Sequence, residues 1–170
     1  MANIKRLIFK INNLHKKYGS YNALQLKKLD IHPGTIYGVI GTIGSGKTTL
    51  LNLMAGFEKE TTGSLFYEGR PYEKNWLGKV KQNKGIFSTK DPQKNGFGKT
   101  ISNYISSKFP KKRNLIENRY FKNSSFKHLW SRRIDKLSSG ELNWLGMIVA
   151  CECDPRVLLI DDYGMYFNTT

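Results

Sequence analysis

The chain of 170 residues has few cysteines, few acidic residues and no long apolar run, and each shortage argues against a class of protein. Its two cysteines, Cys151 and Cys153, form a single CxC pair that no other cysteine can complete into a zinc site, so we interpret them as reduced thiols beside a helix end. No apolar run approaches the ~18 residues of a membrane span. The first residues, MANIKRLIFKINNL, lack the apolar core of a signal peptide. These features predict a soluble, cytosolic protein.

The shortage of acidic residues makes the chain strongly basic, with 13 Asp and Glu against 28 Lys and Arg and a net charge of +15. Such a charge could attract nucleic acid. The lysines, however, are spread along the whole chain and accompany many Asn, Ile, Tyr and Phe residues, a mixture that AT-rich coding produces without selection for a partner. The densest basic region, Lys108 to Lys136, is interpreted as a solvated face, and docking to an anionic membrane or an acidic partner is the alternative. We therefore expect no specific nucleic-acid partner.

Hydrophobic patterning in the first half of the chain predicts several strands and one helix. RLIFKINNLHKKYG alternates apolar and polar residues, and NALQLKKLDIHPG is its expected hairpin partner, which ends at a Pro33-Gly34 turn. TIYGVIG, which begins at Thr35, is a β-branched run typical of a buried strand. The Leu and Met spacing of TTLLNLMAGF predicts a helix, and GSLFYEG predicts another strand.

The second half of the chain is mainly helical in pattern, from Asn95 to about Ala150. TISNYISSKF and SGELNWLGMIVACE show this pattern most clearly. RVLLID, which ends at Asp161, returns to the pattern of a buried strand. Two adjacent carboxylates at the end of such a strand, Asp161 and Asp162, are typical of a metal-bound phosphate site.

The most specific motif is GTIGSGKT, a full match to the phosphate-loop pattern GxxxxGK(S/T) between a predicted strand and a predicted helix. Its glycines allow successive backbone N–H groups to turn inward and form an anion-binding nest. The positive end of the following helix dipole points at the same place. We expect Lys47 to reach the β- and γ-phosphates and the Thr48 hydroxyl to bind Mg²⁺.

A phosphate loop alone does not distinguish kinases, GTPases and transport ATPases. A GTPase needs a guanine-reading NKxD motif, and NKGI at residues 83–86 lacks the aspartate. The segment LSSGELNWLGMIVACECDPRVLLIDD resembles the signature region of ATP-binding cassette (ABC) ATPases, which has an LSGGQ motif, a helix, Asp-Pro and an apolar strand ending in an acid pair. Residues 14–69 are also similar to the N-terminal part of that family.

The resemblance implies an α/β fold: a P-loop NTPase (RecA-like) core with N-terminal antiparallel β strands and an inserted helical subdomain. The core would comprise residues 1–94 and 151–170, incomplete at its C-terminus, and the helical signature subdomain residues 95–150.

The resemblance also implies that ATP and Mg²⁺ are bound. Tyr18 would stack on adenine, Thr48 and Asp161 would hold the metal, and Lys47 and Asp162 would be catalytic. The residues expected to contact ATP are Tyr18, Gly41, Thr42, Ile43, Gly44, Ser45, Gly46, Lys47, Thr48, Thr49, Ser138, Ser139, Gly140 and Glu141.

The partners implied by the resemblance are membrane proteins and a second cassette. The signature residues would act on the ATP of another subunit, so the expected active form is a head-to-tail homo- or heterodimer. The helical subdomain would couple to transmembrane permease subunits, which places the chain at the cytoplasmic face of the membrane.

Several positions depart from the family pattern. The family has a Gln after GIF that contacts Mg²⁺, where this chain has Thr89 or Lys90, with Gln93 slightly too late. Asp162 replaces the usual Glu, and Asn168 stands where an Asp is expected. The family's histidine and last strands do not follow within this sequence. We therefore expect a fragment or truncated gene product with low ATPase activity.

The sequence thus predicts an ABC-type ATPase, the ATP-binding subunit of an ABC transporter. One alternative is a soluble ABC ATPase that acts in translation or DNA repair. The other is a nucleotide-binding regulatory module that scarcely hydrolyses ATP.

Overall fold

A computed structural model of the chain describes residues 7–161. Its contacts group the chain into two compact units, Met1–Lys84 and Gly85–Thr170. The domain boundaries expected from the sequence group the chain differently and stay a prediction. No helix within residues 7–161 combines the length and hydrophobicity needed to cross a bilayer.

The described part of the first unit, residues 7–84, contains an antiparallel sheet and one helix. The strand order is β2-β1-β3-β4. The elements are β1 (Phe9–Tyr18), β2 (Tyr21–Ile31), α1 (Lys47–Ala55), β3 (Thr62–Tyr67) and β4 (Arg70–Pro71). The predicted hairpin of β1 and β2, the strand β3 and the helix α1 are therefore confirmed.

The strand β1 shows how the sequence pattern and the fold agree. Phe9 and Ile11 are buried on one face, as strict alternation requires. Asn13 then adopts the left-handed conformation, with φ 44°, which Asn tolerates better than most residues, and the register with β3 shifts between Asn12 and His15. Because of this bulge the next buried residue is Leu14 rather than Asn13.

The predicted buried strand TIYGVIG is wrong in this structure. No strand among residues 7–161 pairs with residues 35–41, and Ile36 and Ile40 are 99% and 97% exposed. A strand of this composition is stable when other strands flank it and both of its faces are covered. Hydrophobicity alone therefore does not make it a strand here.

The second unit packs helices around a parallel pair of strands. The strands are β5 (Ile86–Ser88) and β6 (Val157–Leu159), and the helices are α2 (Asp91–Asn95), α3 (Ile101–Lys108), α4 (Arg113–Ile116) and α5 (Ser139–Cys153). A π-helical segment follows at Glu117–Lys122, and 3₁₀ turns lie at Lys127–Leu129 and Ile134–Lys136. The predicted helical character of this region is confirmed, with α3 and α5 as its longest helices.

The core of this unit lies between α3, α5 and the turns that connect them. Its fully buried side chains include Ile101, Ile105, Phe121, Leu145 and Val149. The strand β6 is less buried than predicted, because Leu159 is buried while Leu158 is 41% exposed.

The register of β5 and β6 brings the candidate metal residue into place. Ser88 pairs with Leu159, and the Thr89 N–H donates to the Leu159 carbonyl at 3.0 Å. Since the strands are parallel, the residues that follow each of them meet at the same end of the sheet. Thr89, Lys90 and Asp161 therefore lie together.

Candidate functional site

The phosphate loop leads directly into α1 in the first unit. Gly44 and Gly46 adopt φ values of 82° and 89°, in the region that favours glycine. A Cβ atom on Gly46 would lie 2.5 Å from the Ala23 carbonyl oxygen, so a larger residue would disturb the contact between the loop and β2. The sequence thus uses glycine where the backbone must turn and approach a strand closely.

The ammonium group of Lys47 is held by the loop itself. Its Nζ donates to the carbonyl oxygens of Gly41 and Thr42, each at 2.8 Å. These contacts place a positive charge beside the N-terminal end of α1, where several backbone N–H groups have no partner within the helix. The arrangement concentrates positive potential where a phosphate group would sit.

The remaining predicted loop residues are mostly open to solvent. Gly41, Thr42, Ile43, Ser45 and Thr48 are exposed, and Thr49 is half-buried in the first turn of α1. Backbone N–H groups, hydroxyls and one ammonium group are ligands that suit a nucleotide phosphate chain. The loop therefore fits the ATP phosphates that the sequence predicts for it.

Tyr18, the predicted adenine-stacking residue, is 46% exposed at the end of β1. Its hydroxyl donates to the Glu58 carboxylate, and the Lys16 Nζ lies 4.9 Å from the ring centroid. Burial, followed by the hydrogen bond to Glu58 and its charge, raises the pKa of Tyr18 to about 12. The phenol stays neutral at physiological pH, and its ring is anchored at both the hydroxyl and one face.

Glu58 is a residue of this site that the sequence analysis missed. Burial raises its pKa, but hydrogen bonds from Tyr18, Asn52 and Lys16 outweigh that effect and lower it overall. The Asn52 Nδ2 donates at 3.0 Å, and Lys16 forms an ion pair at 3.3 Å. Glu58 lies just beyond α1 and is part of no motif, so no sequence signal indicates that it fixes Tyr18.

The candidate metal residue Asp161 lies in the second unit and is only 5% exposed. Its backbone N–H donates to the Thr89 hydroxyl at 3.4 Å, and the Lys90 Nζ lies 3.4 Å from its Oδ2. The sequence left open whether Thr89 or Lys90 takes the place of the family's Gln. In the structure, Thr89 contacts the backbone of Asp161, whereas Lys90 contacts its carboxylate.

Asp161 and Lys90 face a small cavity of about 120 Å³. The cavity is lined by Thr89, Lys90, Gln93, Ser139, Leu142, Asn143 and Asp161. Gln93, which the sequence placed slightly too late, thus lines the same cavity as Asp161.

The donor chemistry at Asp161 fits Mg²⁺. A carboxylate is the hard oxygen ligand that this ion prefers, and Mg²⁺ in nucleotide sites uses one or two protein ligands together with phosphate oxygens and water. Within residues 7–161 no group of three His, Cys, Asp or Glu side chains forms a complete metal cage. An ion here would therefore need further oxygen ligands besides Asp161, such as water or phosphate oxygens.

The predicted signature residues form the start of α5. Ser138 is the N-cap: the Glu141 N–H donates to its Oγ at 3.3 Å, and the Ser138 N–H donates to the Glu141 Oε2 at 2.7 Å. Arg132 also donates to Glu141 at 3.1 Å. The hydrogen bond from the Ser138 backbone is the main reason why the pKa of Glu141 is lowered.

This capping box gives two of the signature residues a structural role. The Ser138 and Glu141 side chains stabilise the helix terminus, while Ser139 lines the cavity with Asp161. Their predicted role in contacting ATP, together with that of Gly140, stays a prediction. Asp162, the predicted catalytic acid, and Asn168 lie outside the described residues.

Comparisons with known proteins agree with these features. The sequence profile of the family described as ABC transporter matches residues 24–163. The chain is 30% identical over 162 residues to a sulfate/thiosulfate import ATP-binding protein, CysA, from Nephroselmis olivacea, covering 89% of this chain and 45% of that protein. It is 30% identical over 176 residues to a probable branched-chain amino acid transport ATP-binding protein, LivG, from Archaeoglobus fulgidus, covering 91% and 67%.

Solved structures show the same fold. The chain matches cbiO1 from Clostridium perfringens, part of the ABC transporter complex cbiONQ, with a TM-score of 0.60 and 21% identity over 92% of this chain and 65% of that one. It matches a bacterial Atm1-family ABC exporter with ATP bound, with a TM-score of 0.65 and 18% identity over 99% and 32%. The predicted P-loop NTPase fold is thereby confirmed.

The extent of the family match decides the assignment. The profile covers most of the chain and includes the phosphate loop, the capping-box helix and Asp161. The chain spans 45% of the CysA relative and 65% of a second CysA protein, from Chlorella vulgaris. On this evidence, the protein belongs to the ABC transporter family.

Proposed function

We propose that this chain is the ATP-binding subunit of an ABC transporter, which binds ATP with Mg²⁺ and couples ATP binding and hydrolysis to transport by transmembrane permease subunits. The observation that carries the proposal is the Lys47 ammonium group, held by two loop carbonyls beside the N-terminus of α1. The names of its relatives support the same role, since CysA and LivG are both named as ATP-binding proteins of transport systems.

The phosphate loop would bind the triphosphate. The backbone N–H groups of residues 41–46 and the first turn of α1 donate to phosphate oxygens. Lys47 exchanges its contacts with Gly41 and Thr42 for the β- and γ-phosphates. Because the lysine side chain is already held beside the loop, it loses little further conformational entropy when the nucleotide binds.

Asp161 would hold the metal ion, with Thr48 as a second protein ligand. A metal ion held there would supply positive charge against the phosphate chain. Asp162 would orient the attacking water, and its side chain is shorter than that of the family's Glu. Since a displacement of about 1 Å can cost on the order of 100-fold in rate, we expect slow hydrolysis.

Tyr18 would stack on the adenine ring. The Lys16 ammonium group covers one face of the phenol, and the exposed part of the ring is available to a planar base. The anchor at Glu58 reduces the motion of the ring and so lowers the entropy cost of stacking.

The assembly we propose follows the family pattern. The signature residues 138–141 would act on the ATP of a second cassette in a head-to-tail homo- or heterodimer. Residues 95–150 would form the subdomain that couples to the permease, with residues 1–94 and 151–170 as the ATP-binding core. The chain would then sit at the cytoplasmic face of the membrane.

A second candidate function is a nucleotide-binding regulatory module that scarcely hydrolyses ATP. The ion pair between Lys90 and Asp161 favours it, because a lysine contacts the carboxylate that should hold the metal. The two candidates differ in turnover, not in nucleotide binding.

Phosphate release at saturating ATP and Mg²⁺ separates the two functions. We expect release above the Lys47→Ala blank but slower than ~1 s⁻¹, the lower end of typical enzyme turnover. Lys79→Ala is the matched control, because Lys79 is exposed and precedes Val80, which lies near Gly56 at the opposite end of α1. Release equal to the blank would reject the hydrolysing subunit and favour the regulatory module.

A further inference from the structure

We propose that Lys90 is a built-in counter-ion of Asp161 that competes with Mg²⁺ for its carboxylate and thereby sets the Mg²⁺ concentration that nucleotide binding requires. The inference rests on the proposed function, because it assigns a role to a residue that contacts the proposed metal ligand Asp161. Lys90 would be a positioning residue that acts on the metal through Asp161.

The geometry of the pair supports a direct competition. The Lys90 Nζ lies 3.4 Å from the Asp161 Oδ2, within the range of an ion pair. The Asp161 side chain is only 6% exposed, so solvent screens the pair weakly. A metal ion that binds this oxygen must displace the ammonium group or share the carboxylate with it, and both outcomes weaken metal binding.

The lysine is placed so that it can leave. Its side chain is 28% exposed, and Lys90 and Asp161 both line the cavity of about 120 Å³. Gln93 and Asn143 line the same cavity and offer amide groups to either cation. Lys90 can therefore withdraw without leaving its charge buried.

The backbone fixes the approach of Lys90 to the carboxylate. Lys90 is the N-cap of α2, and its N–H donates to the Ser88 hydroxyl at 3.3 Å. The parallel register of Ser88 with Leu159 fixes the two chain segments at this end of the sheet. The fold thus places the Lys90 backbone within reach of Asp161, while the lysine side chain itself can move.

A Mg²⁺ titration tests the inference without relying on activity. Binding of a non-hydrolysable ATP analogue is measured by calorimetry at increasing Mg²⁺ concentration for the wild type, Lys90→Gln and Lys94→Gln. Outer groups around a metal change its affinity by ~10- to 100-fold, so we expect Lys90→Gln to reach half-saturation at about tenfold less Mg²⁺ or lower. Lys94→Gln removes the same charge from an exposed position on α2 and should match the wild type.

Further variants separate competition from a structural effect. Lys90→Arg keeps the charge and should keep the high Mg²⁺ requirement, and Lys90→Met provides a second neutral variant of similar length if Lys90→Gln folds poorly. In an Asp161→Asn background, Lys90→Gln should no longer shift the titration.

The outcomes separate this inference from the proposed function. Identical Mg²⁺ curves for wild type, Lys90→Gln and Lys90→Met would overturn the competition while leaving nucleotide binding intact. Absence of nucleotide binding by the wild type at every Mg²⁺ concentration would instead overturn the proposed function.

Discussion

Gly146, in the middle of α5, lies against the backbone that carries Thr89 and Lys90. A Cβ atom at Gly146 would lie 2.5 Å from the Thr89 carbonyl oxygen and 3.2 Å from its Cα. Both atoms belong to the backbone, so neither can rotate away. The substitution Gly146→Ala should therefore push α5 and the Thr89 segment apart.

Two effects of opposite sign contribute to the stability of this variant. Alanine in a helix interior is favoured over glycine by about 1 kcal/mol. Overpacking of a well-packed site costs about 1–3 kcal/mol. The steric contact is with rigid backbone, so we expect the packing cost to win and the free energy of unfolding to fall by about 1 kcal/mol, within a range of about 0–2 kcal/mol.

Urea unfolding followed by tryptophan fluorescence measures this change. Trp130 and Trp144 pack against the core of the second unit, whereas Trp76 in the first unit is 91% exposed, so the signal reports mainly the second unit. Cys151→Ala is the control, since Cys151 is exposed in the last turn of α5 and its substitution changes helix propensity without a steric contact. An increase in the midpoint for Gly146→Ala would refute the steric argument.

The other predictions concern the helix cap, its pH dependence and the exposed apolar segment. Ser138→Ala removes the α5 cap and should lower the free energy of unfolding by ~0.5–2 kcal/mol in the same urea assay, and no change would contradict the capping box. Folding lowers the pKa of Glu141 from its ordinary 4.5. The ionised carboxylate therefore stabilises the fold above pH 4.5, and this stabilisation is lost as the pH falls through the folded-state pKa. Glu141→Gln should accordingly unfold at a lower urea concentration than wild type at pH 7, and this difference should vanish at a pH where Glu141 is protonated. A difference that stays constant with pH would show that the charge of Glu141 is not its cause. Ile36 and Ile40 are almost fully exposed, so replacing both with Thr should reduce the concentration-dependent aggregation measured by light scattering. The urea midpoint of unfolding should not fall. Unchanged aggregation would show that this segment does not cause it.

The hairpin, the helix after the phosphate loop and the long helix α5 could be predicted from the sequence because their signals are local. Alternation along β1, the glycines of the loop and the Leu spacing of α1 act over a few residues each. The fate of TIYGVIG could not be predicted in this way. Whether such a segment becomes a strand depends on neighbours that its own residues do not encode.

The site shows the same limit. The sequence identified Lys47 and Asp161 from their motifs, but it could not decide between Thr89 and Lys90, because the parallel register with β6 determines which side chain reaches the carboxylate. Ser138 and Glu141 match the S-x-x-E capping pattern as well as the family's signature. The resemblance favoured the nucleotide role, and the structure adds the helix cap.

The most direct test of nucleotide binding is calorimetric titration of the folded wild-type chain and of Lys47→Ala with ATP and Mg²⁺. The Lys47 ammonium group is held by the Gly41 and Thr42 carbonyls, and we propose that it contacts the β- and γ-phosphates. Loss of a charge-assisted contact costs about 1.5–3 kcal/mol, which corresponds to a weakening of roughly 10- to 150-fold in affinity. We predict saturable binding to the wild type, weakening of this size in Lys47→Ala, and wild-type affinity in Lys79→Ala. Equal affinity in wild type and Lys47→Ala would contradict the account.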